Sequence, residues 1–261
     1  MKRDVLTAAM DDAVAAYRQD GVGLLRGLLG AEDIAGLCAE TDRLWAQFHS
    51  SGPANLRLGI RRDLAGDIVV DRLEPLADVS PVFASLNRHP TLVRLAEAGL
   101  GEPVTVMKEK LIYRRPGTRG FGAHRDQTYT TVKSGVPGSE VLTLSLALDP
   151  VLLVSGPIEF FPSLRLKAVP APPGEPRDVA ESALAGVPSL LAELHPGDAV
   201  LFDGQIPHRS APNRSQHPRR TCMISYVPAR YPQARDHYYA GRLVEQASER
   251  QALQSPRLFF R

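Results

Sequence analysis

The stretch whose reading decides the fold is VLTLSLAL, residues 141–148. Successive side chains of an extended chain point to opposite faces. Leu142, Leu144, Leu146 and Leu148 therefore share one face, and Val141, Thr143, Ser145 and Ala147 share the other. Two such different faces need two different neighbours. The leucine face suits packing on helices, and the small, partly polar face suits the inside of a barrel that must leave room for a ligand.

Working outward, short β-rich runs separated by Pro/Gly turns appear at PVTVMKEKLIYRR (103–115), PIEFF (157–161), DAVLFDG (198–204) and RRTCMISYVP (219–228). That spacing is the signature of a barrel or sandwich. Upstream, residues 6–19 and 31–48 carry apolar positions at helical spacing, with GVGLLRGLL (21–29) a short strand between them. PTLVRLAEAGLG (90–101) reads as a helix ended by Gly101. Residues 51–75 show no period and read as loop; 163–187 reads as a Pro-rich long loop with a helical turn. The expected organisation is one domain, 1–261, with a helical part over about 1–102, a β core over about 103–230 and a helical tail over about 231–261.

At 43% hydrophobic and 23% charged, 261 residues suffice for one large core. The net charge is +2 and the Arg residues are spread along the chain, which argues against a nucleic-acid partner. MKRDVLTAAMDDAVAAYRQDG at the start has acids where a signal peptide needs an apolar core, and no run approaches the roughly 18 apolar residues of a membrane span. A cytoplasmic monomer or homodimer without a membrane partner is expected. Cys38 and Cys222 lack metal or redox spacing and read as reduced core thiols.

His124 and Asp126, in GAHRDQTYT (122–130), would project from one face if the chain there is extended. Such a pair arises by chance about once in a chain like this, so it needs a third partner. GDAVLFDGQIPHRSAPNRSQHPRR (197–220) offers His208, just after a strand. Two His and one carboxylate with open positions opposite is an arrangement that binds non-haem Fe(II). His195 and His217 read as turn residues, and His49, His89 and His237 have no partner at ligand spacing.

Together with YRQDGVGLLRGLLGAEDIAGL (17–37), LIYRRPG (111–117), HRDQTYTTVKSGVP (124–137) and LTLSLALDPVLLVSGPIEFFP (142–162), these stretches resemble the phytanoyl-CoA dioxygenase-like branch of the Fe(II)/2-oxoglutarate oxygenases. That branch includes ectoine hydroxylase and natural-product tailoring enzymes. The resemblance implies a double-stranded β-helix, a cupin-like jelly-roll barrel, mainly β, with the N-terminal helices packed on one sheet. It implies that His124, Asp126 and His208 hold iron. Arg219, eleven residues past His208, would pair with the distal carboxylate of 2-oxoglutarate through its planar fork. Arg220 is the alternative if the strand phase shifts by one. Ser145, already turned inward by the alternation, and Ser210 would add hydroxyl contacts. Tyr113 either reaches the co-substrate or belongs to the core, and Lys108 and Lys110 face either outward or the site. Arg125, Gln127, Tyr129 and Arg61 are the candidates for substrate contact.

The implied activity is an EC 1.14.11-type oxidation, most simply a hydroxylation, of a small polar molecule of secondary metabolism, using Fe(II), O2 and 2-oxoglutarate and releasing succinate and CO2. Epimerisation, desaturation, cyclisation and epoxidation use the same ligands. A cupin-type isomerase or binding protein, needing no Arg219, is the more remote alternative. Halogenation is disfavoured because Asp126 is present, and an acyl-CoA because the chain shows no basic cluster for its phosphates. The chain departs from the family at FPSLRL (161–166), Arg125 and QTYT (127–130).

Overall fold

The amphipathic N-terminal segments form the helices expected: α1 (Lys2–Asp20) and α2 (Ala31–His49), with strand β1 (Val22–Leu25) between them. The computed structural model describes residues 2–49, 56–172 and 179–253. A hairpin follows, β2 (Leu58–Arg62) and β3 (Ile68–Leu73), then helices α3 (Pro81–Leu86) and α4 (Pro90–Leu100). Helix α4 ends at Gly101 with φ 82°, a left-handed C-cap that favours glycine. Strand β4 (Val104–Arg114) leads to helix α5 (Gln127–Ser134), and β5 (Leu142–Ala147), β6 (Ile158–Phe160), β7 (Leu190–Leu191), β8 (Ala199–Asp203), β9 (His208–Ser210) and β10 (Arg219–Pro228) complete the strands. The last helix is α6 (Ala234–Leu253).

The strands form two antiparallel sheets, a larger one ordered β1-β8-β5-β10-β4-β3-β2 and a smaller one ordered β7-β6-β9. This is the jelly-roll architecture with flanking helices. Strand β5 sits as its alternation requires: Leu142, Leu144, Leu146 and Leu148 are buried in one cluster with Leu37, Leu44, Leu92 and Leu95 of the helices. Ala147, from the opposite face, lies with Val200, Phe202, Met223 and Phe160 between the sheets. Burying the leucine side chains stabilises this packing by about 1.5–3 kcal/mol each.

Four expectations need correction. The described part of 51–75 is the β2–β3 hairpin, which joins the large sheet through Arg72↔Ile112 and Leu73↔Leu111; residues 51–55 lie outside the described residues. Its alternation is hidden by a register shift between Gly59 and Ile60 and by inward arginines held in ion pairs. QTYT begins a helix rather than continuing an extended run, and α3 was not anticipated; Ser80 caps it by accepting from the Phe83 amide at 3.3 Å. The long loop is as expected in having helical turns, 3-10 turns at Pro162–Leu164 and Glu181–Ala183, but it is partly buried, with Val179 and Leu184 packed against Phe161 and Ala123; 173–178 fall outside the described residues. Both cysteines are free, but only Cys222 is fully buried; Cys38 is half-buried. Among the described residues no helix is long and apolar enough to cross a membrane.

Candidate active site

The two histidines are brought together by the backbone. His124 forms a two-residue bridge with His208: each amide donates to the other's carbonyl at 3.0 Å. The chain then turns into α5, with Asp126 already in helical conformation (φ −60°, ψ −33°), so a tight turn rather than an extended run aims its carboxylate at the histidines. Ligand atoms of His124, Asp126 and His208 lie within 4.8 Å of one another, with Asp126 Oδ1 3.7 Å from His124 Nε2 and 4.0 Å from His208 Nε2.

The donor chemistry fits a divalent metal. His124 Nδ1 is 2.8 Å from the Gly122 carbonyl and His208 Nδ1 is 3.1 Å from that of Ile206, which places the ring proton on Nδ1 and leaves both Nε2 lone pairs for a ligand. Asp126 Oδ2 is buried with no hydrogen-bond partner. Burial, together with the nearby His124, pushes the His208 imidazole down to about 3, so it is neutral and ready to bind. Burial would raise the Asp126 carboxyl, but the Lys108 ammonium 3.6 Å away, with His124 and Lys110, outweighs it and holds the group well below the usual carboxylate range. Phe160 and Phe202 flank the His208 ring, and Tyr129 meets His124 edge-on at 5.8 Å. These rings fix the ligands in a largely apolar wall.

A cavity of about 350 Å³ opens on this triad. Arg219 lines it, only 3% exposed, and donates from Nη1 to the Gly156 carbonyl at 2.9 Å, while its Nε has no hydrogen-bond partner. Gly156 has φ 74°, and a Cβ there would strike the Ala211 backbone, so glycine is what lets this carbonyl approach. Burial pushes the Arg219 guanidinium down to about 10, against the pull of Asp71, and it stays charged at neutral pH. Its cross-strand neighbour is Arg114, also buried and also lining the cavity. Burial, then Arg219 and Arg61, lower Arg114 well below the ordinary guanidinium range. Two adjacent buried guanidiniums form a seat for a carboxylate. Arg220 points elsewhere, gripping Asp149 with two nitrogens at 2.8 Å and Asp42 at 2.7 Å.

Of the other anticipated residues, Ser210 lines the cavity, its Oγ accepting from the Phe121 amide at 3.1 Å, and Tyr129 lines it as well. Ser145 faces the barrel interior between Val200 and Met223, but it is not among the side chains that line the cavity. Tyr113 is on the outer face of β4, stacked on Trp45 at 4.2 Å, because the strand's alternation turns Ile112 and Arg114 inward. Arg125 ties down the following loop by donating to the Leu164 and Lys167 carbonyls at 2.7 and 2.6 Å, and Gln127 packs on Gly138. Arg61 pairs with Asp71 at 2.7 Å, holds the Arg119 and Gly120 carbonyls and stacks on Phe121. Tyr113, Arg125, Gln127 and Arg61 therefore do not line the cavity.

Residues 17–221 match the phytanoyl-CoA dioxygenase (PhyH) family. The chain belongs to that family. Among similar proteins, methylphosphonate hydroxylase of Gimesia maris is 32% identical over 149 residues, 56% of this chain and 54% of that protein, so the match spans about half of that relative. Ectoine dioxygenase of Bordetella bronchiseptica is 29% identical over 242 residues, covering 85% of this chain and 76% of that one. Among solved structures, the non-haem α-ketoglutarate-dependent epimerase SnoN from nogalamycin biosynthesis superposes with a TM-score of 0.70 at 23% identity, covering 85% of this chain and 84% of that one. EctD from S. alaskensis with 2-oxoglutarate and 5-hydroxyectoine gives 0.70 at 22% identity, covering 84% and 76%. These likenesses place the PhyH chain in the jelly-roll fold of non-haem iron, 2-oxoglutarate-dependent enzymes.

The sequence reading left Lys108 and Lys110 open and missed Arg72, Arg114, Tyr238 and Arg242, all of which line the cavity of this PhyH chain. A signal existed for three of them. Lys108, Lys110, Ile112 and Arg114 alternate on β4 and share one face. Tyr238 and Arg242 come from α6, which lies beyond the family match, and no local motif marks them.

Proposed function

We propose that this PhyH-family chain oxidises a small-molecule metabolite, by hydroxylation, in a reaction that consumes O2 and 2-oxoglutarate and releases succinate and CO2. One observation carries the reading: a two-histidine, one-carboxylate set faces a cavity whose other wall presents a buried arginine pair. Fe(II) held by His124, Asp126 and His208 would supply the activation of O2, with 2-oxoglutarate as reductant. The chain's own residues do the rest. Arg219 and Arg114 hold the distal carboxylate of the co-substrate, Ser210 adds a hydroxyl, and Ser145 supports the same wall from the interior. The Nδ1 bonds to Gly122 and Ile206 fix the ring orientations, and Phe160, Phe202 and Tyr129 exclude water from the ligands. Tailoring of a natural product is supported by neighbours such as the nogalamycin epimerase, whose own reaction keeps epimerisation as a second outcome of the same site.

The test is anaerobic absorption spectroscopy. Adding Fe(II) and 2-oxoglutarate should give the visible charge-transfer band of a chelated 2-oxo acid, lost in His208→Ala. Absence of the band in the parent protein at saturating Fe(II) and 2-oxoglutarate would overturn the reading.

A further inference from the structure

The outer end of the cavity, beyond the iron ligands, is charged in an uneven way. Its cations and acids can be matched. Arg72 pairs with Glu74 at 3.2 Å, Lys133 with Glu245 at 3.3 Å, Arg242 with Glu245 at 2.5 Å, and Lys108 with the ligand Asp126 at 3.6 Å. Tyr238 donates its hydroxyl to Glu74 at 2.9 Å. Lys110 is left over: among the described residues no carboxylate lies within 4.0 Å of its ammonium, although it lines the cavity between Lys108 and Ile112 on the inner face of β4. Taken together, this end carries Arg72, Lys108, Lys110, Lys133 and Arg242 against Glu74, Asp126 and Glu245, and an iron ion would add further positive charge. Lys110 feels Asp126 and Glu74 only at longer range; taking an ammonium out of water without a directly paired counter-charge is costly, and natural interiors pair such groups or present them to a ligand.

Lys110 also sits apart from the arginine seat. On β10 its cross-strand partner is Met223, and the Thr221–Ile112 pair separates it from Arg219 and Arg114. The wall opposite is α6, through Tyr238, Arg242 and Glu245. Helix α6 lies beyond residues 17–221, the stretch that matches the family.

On the iron and 2-oxoglutarate reading given above, we propose that the substrate is a compact anion, bearing a carboxylate or a tetrahedral oxyanion, which Lys110 holds against the α6 wall. The uneven charge selects the sign, and a cavity of about 350 Å³ shared with 2-oxoglutarate selects a small molecule. Helix α6 sets how far the rest of that molecule extends, through Tyr238 and Arg242.

Calorimetric titration of the anaerobic Fe(II)/2-oxoglutarate protein tests this, with acetate, methylphosphonate and inorganic phosphate as anionic probes and acetamide and methylammonium as uncharged and cationic controls. At least one anion should bind while both controls do not, and the stronger of acetate and methylphosphonate identifies the class. Lys110→Met should weaken that binding at least tenfold with the charge-transfer band still present; Lys110→Arg should keep it within a few-fold. The inference is overturned if acetamide binds as well as the anions, if Lys110→Met leaves anion binding unchanged, or if that variant raises the 2-oxoglutarate requirement instead. A parent protein without the band would strike the iron reading itself, so the two failures are separable.

Discussion

The inner end of the cavity is made of strand residues tied to backbone: Arg219 to the Gly156 carbonyl, Ser210 to the Phe121 amide, His124 and His208 to each other. The outer end relies on long side chains paired with one another, several of them from helices α5 and α6. A strand residue is fixed by its register, so the inner end presents one geometry. A helix-borne ion pair can be exchanged for another without disturbing a sheet. On the proposed reading, the difference separates what the reaction demands, a metal and a 2-oxo acid, from what a particular substrate demands.

The largest effect should come from the metal ligands. His208→Ala should bring succinate formation to background and remove the charge-transfer band, since the remaining His124 and Asp126 hold iron poorly. A surviving band would show that the inner end is less rigid than its backbone bonds indicate. Arg219→Ala comes next. Removing one partner of a buried charge pair costs roughly 2–5 kcal/mol, which is about 1.5 to 3.5 orders of magnitude in the 2-oxoglutarate requirement, with iron binding retained. Arg220→Ala, whose partners are Asp149 and Asp42, should leave that requirement within a few-fold. The reverse ranking, read from steady-state kinetics, would break the assignment of the inner end.

Arg125→Ala should act through the 163–187 loop and leave both ends of the cavity intact. Losing two bonds to the Leu164 and Lys167 carbonyls loosens the loop and should raise the substrate KM a few-fold while the 2-oxoglutarate KM holds. The smallest effect is expected at Tyr113. Tyr113→Phe keeps the stack on Trp45 and should leave both kinetic constants within about twofold, whereas Tyr113→Ala should lower stability by about 0.5–1.5 kcal/mol, measured by denaturant unfolding. A co-substrate effect of Tyr113→Phe would place the phenol at the site after all.

Much of the inner end was legible because two-residue alternation is a strong constraint. It placed Ser145 inside the barrel, put the four leucines of 142–148 on the helices and, together with the family spacing, preferred Arg219 to Arg220. The same rule applied to β4 would have turned Arg114 inward and Tyr113 outward. That strand was read by residue type, and a tyrosine near a site attracts a role that its phase denies it. Arg125 and Gln127 failed for another reason: the chain leaves the extended conformation at Asp126, so neighbours of a ligand in sequence are not its neighbours in space. The outer end was least legible. The Lys133–Glu245 and Arg242–Glu74 contacts join α5, the residue after β3 and α6 across long stretches of sequence, and nothing local announces them.

The reciprocal bridge between His124 and His208 bears on how this scaffold can change over evolutionary time. It pins the two ends of the long excursion that carries the small sheet and the 163–187 loop, so the spacing of the ligands does not depend on the length of what lies between them. Closing a longer loop is cheap, only about 0.6 kcal/mol for each doubling. Insertions and deletions in the loop part of that excursion can therefore accumulate while the spacing of His124 and His208 stays unaltered.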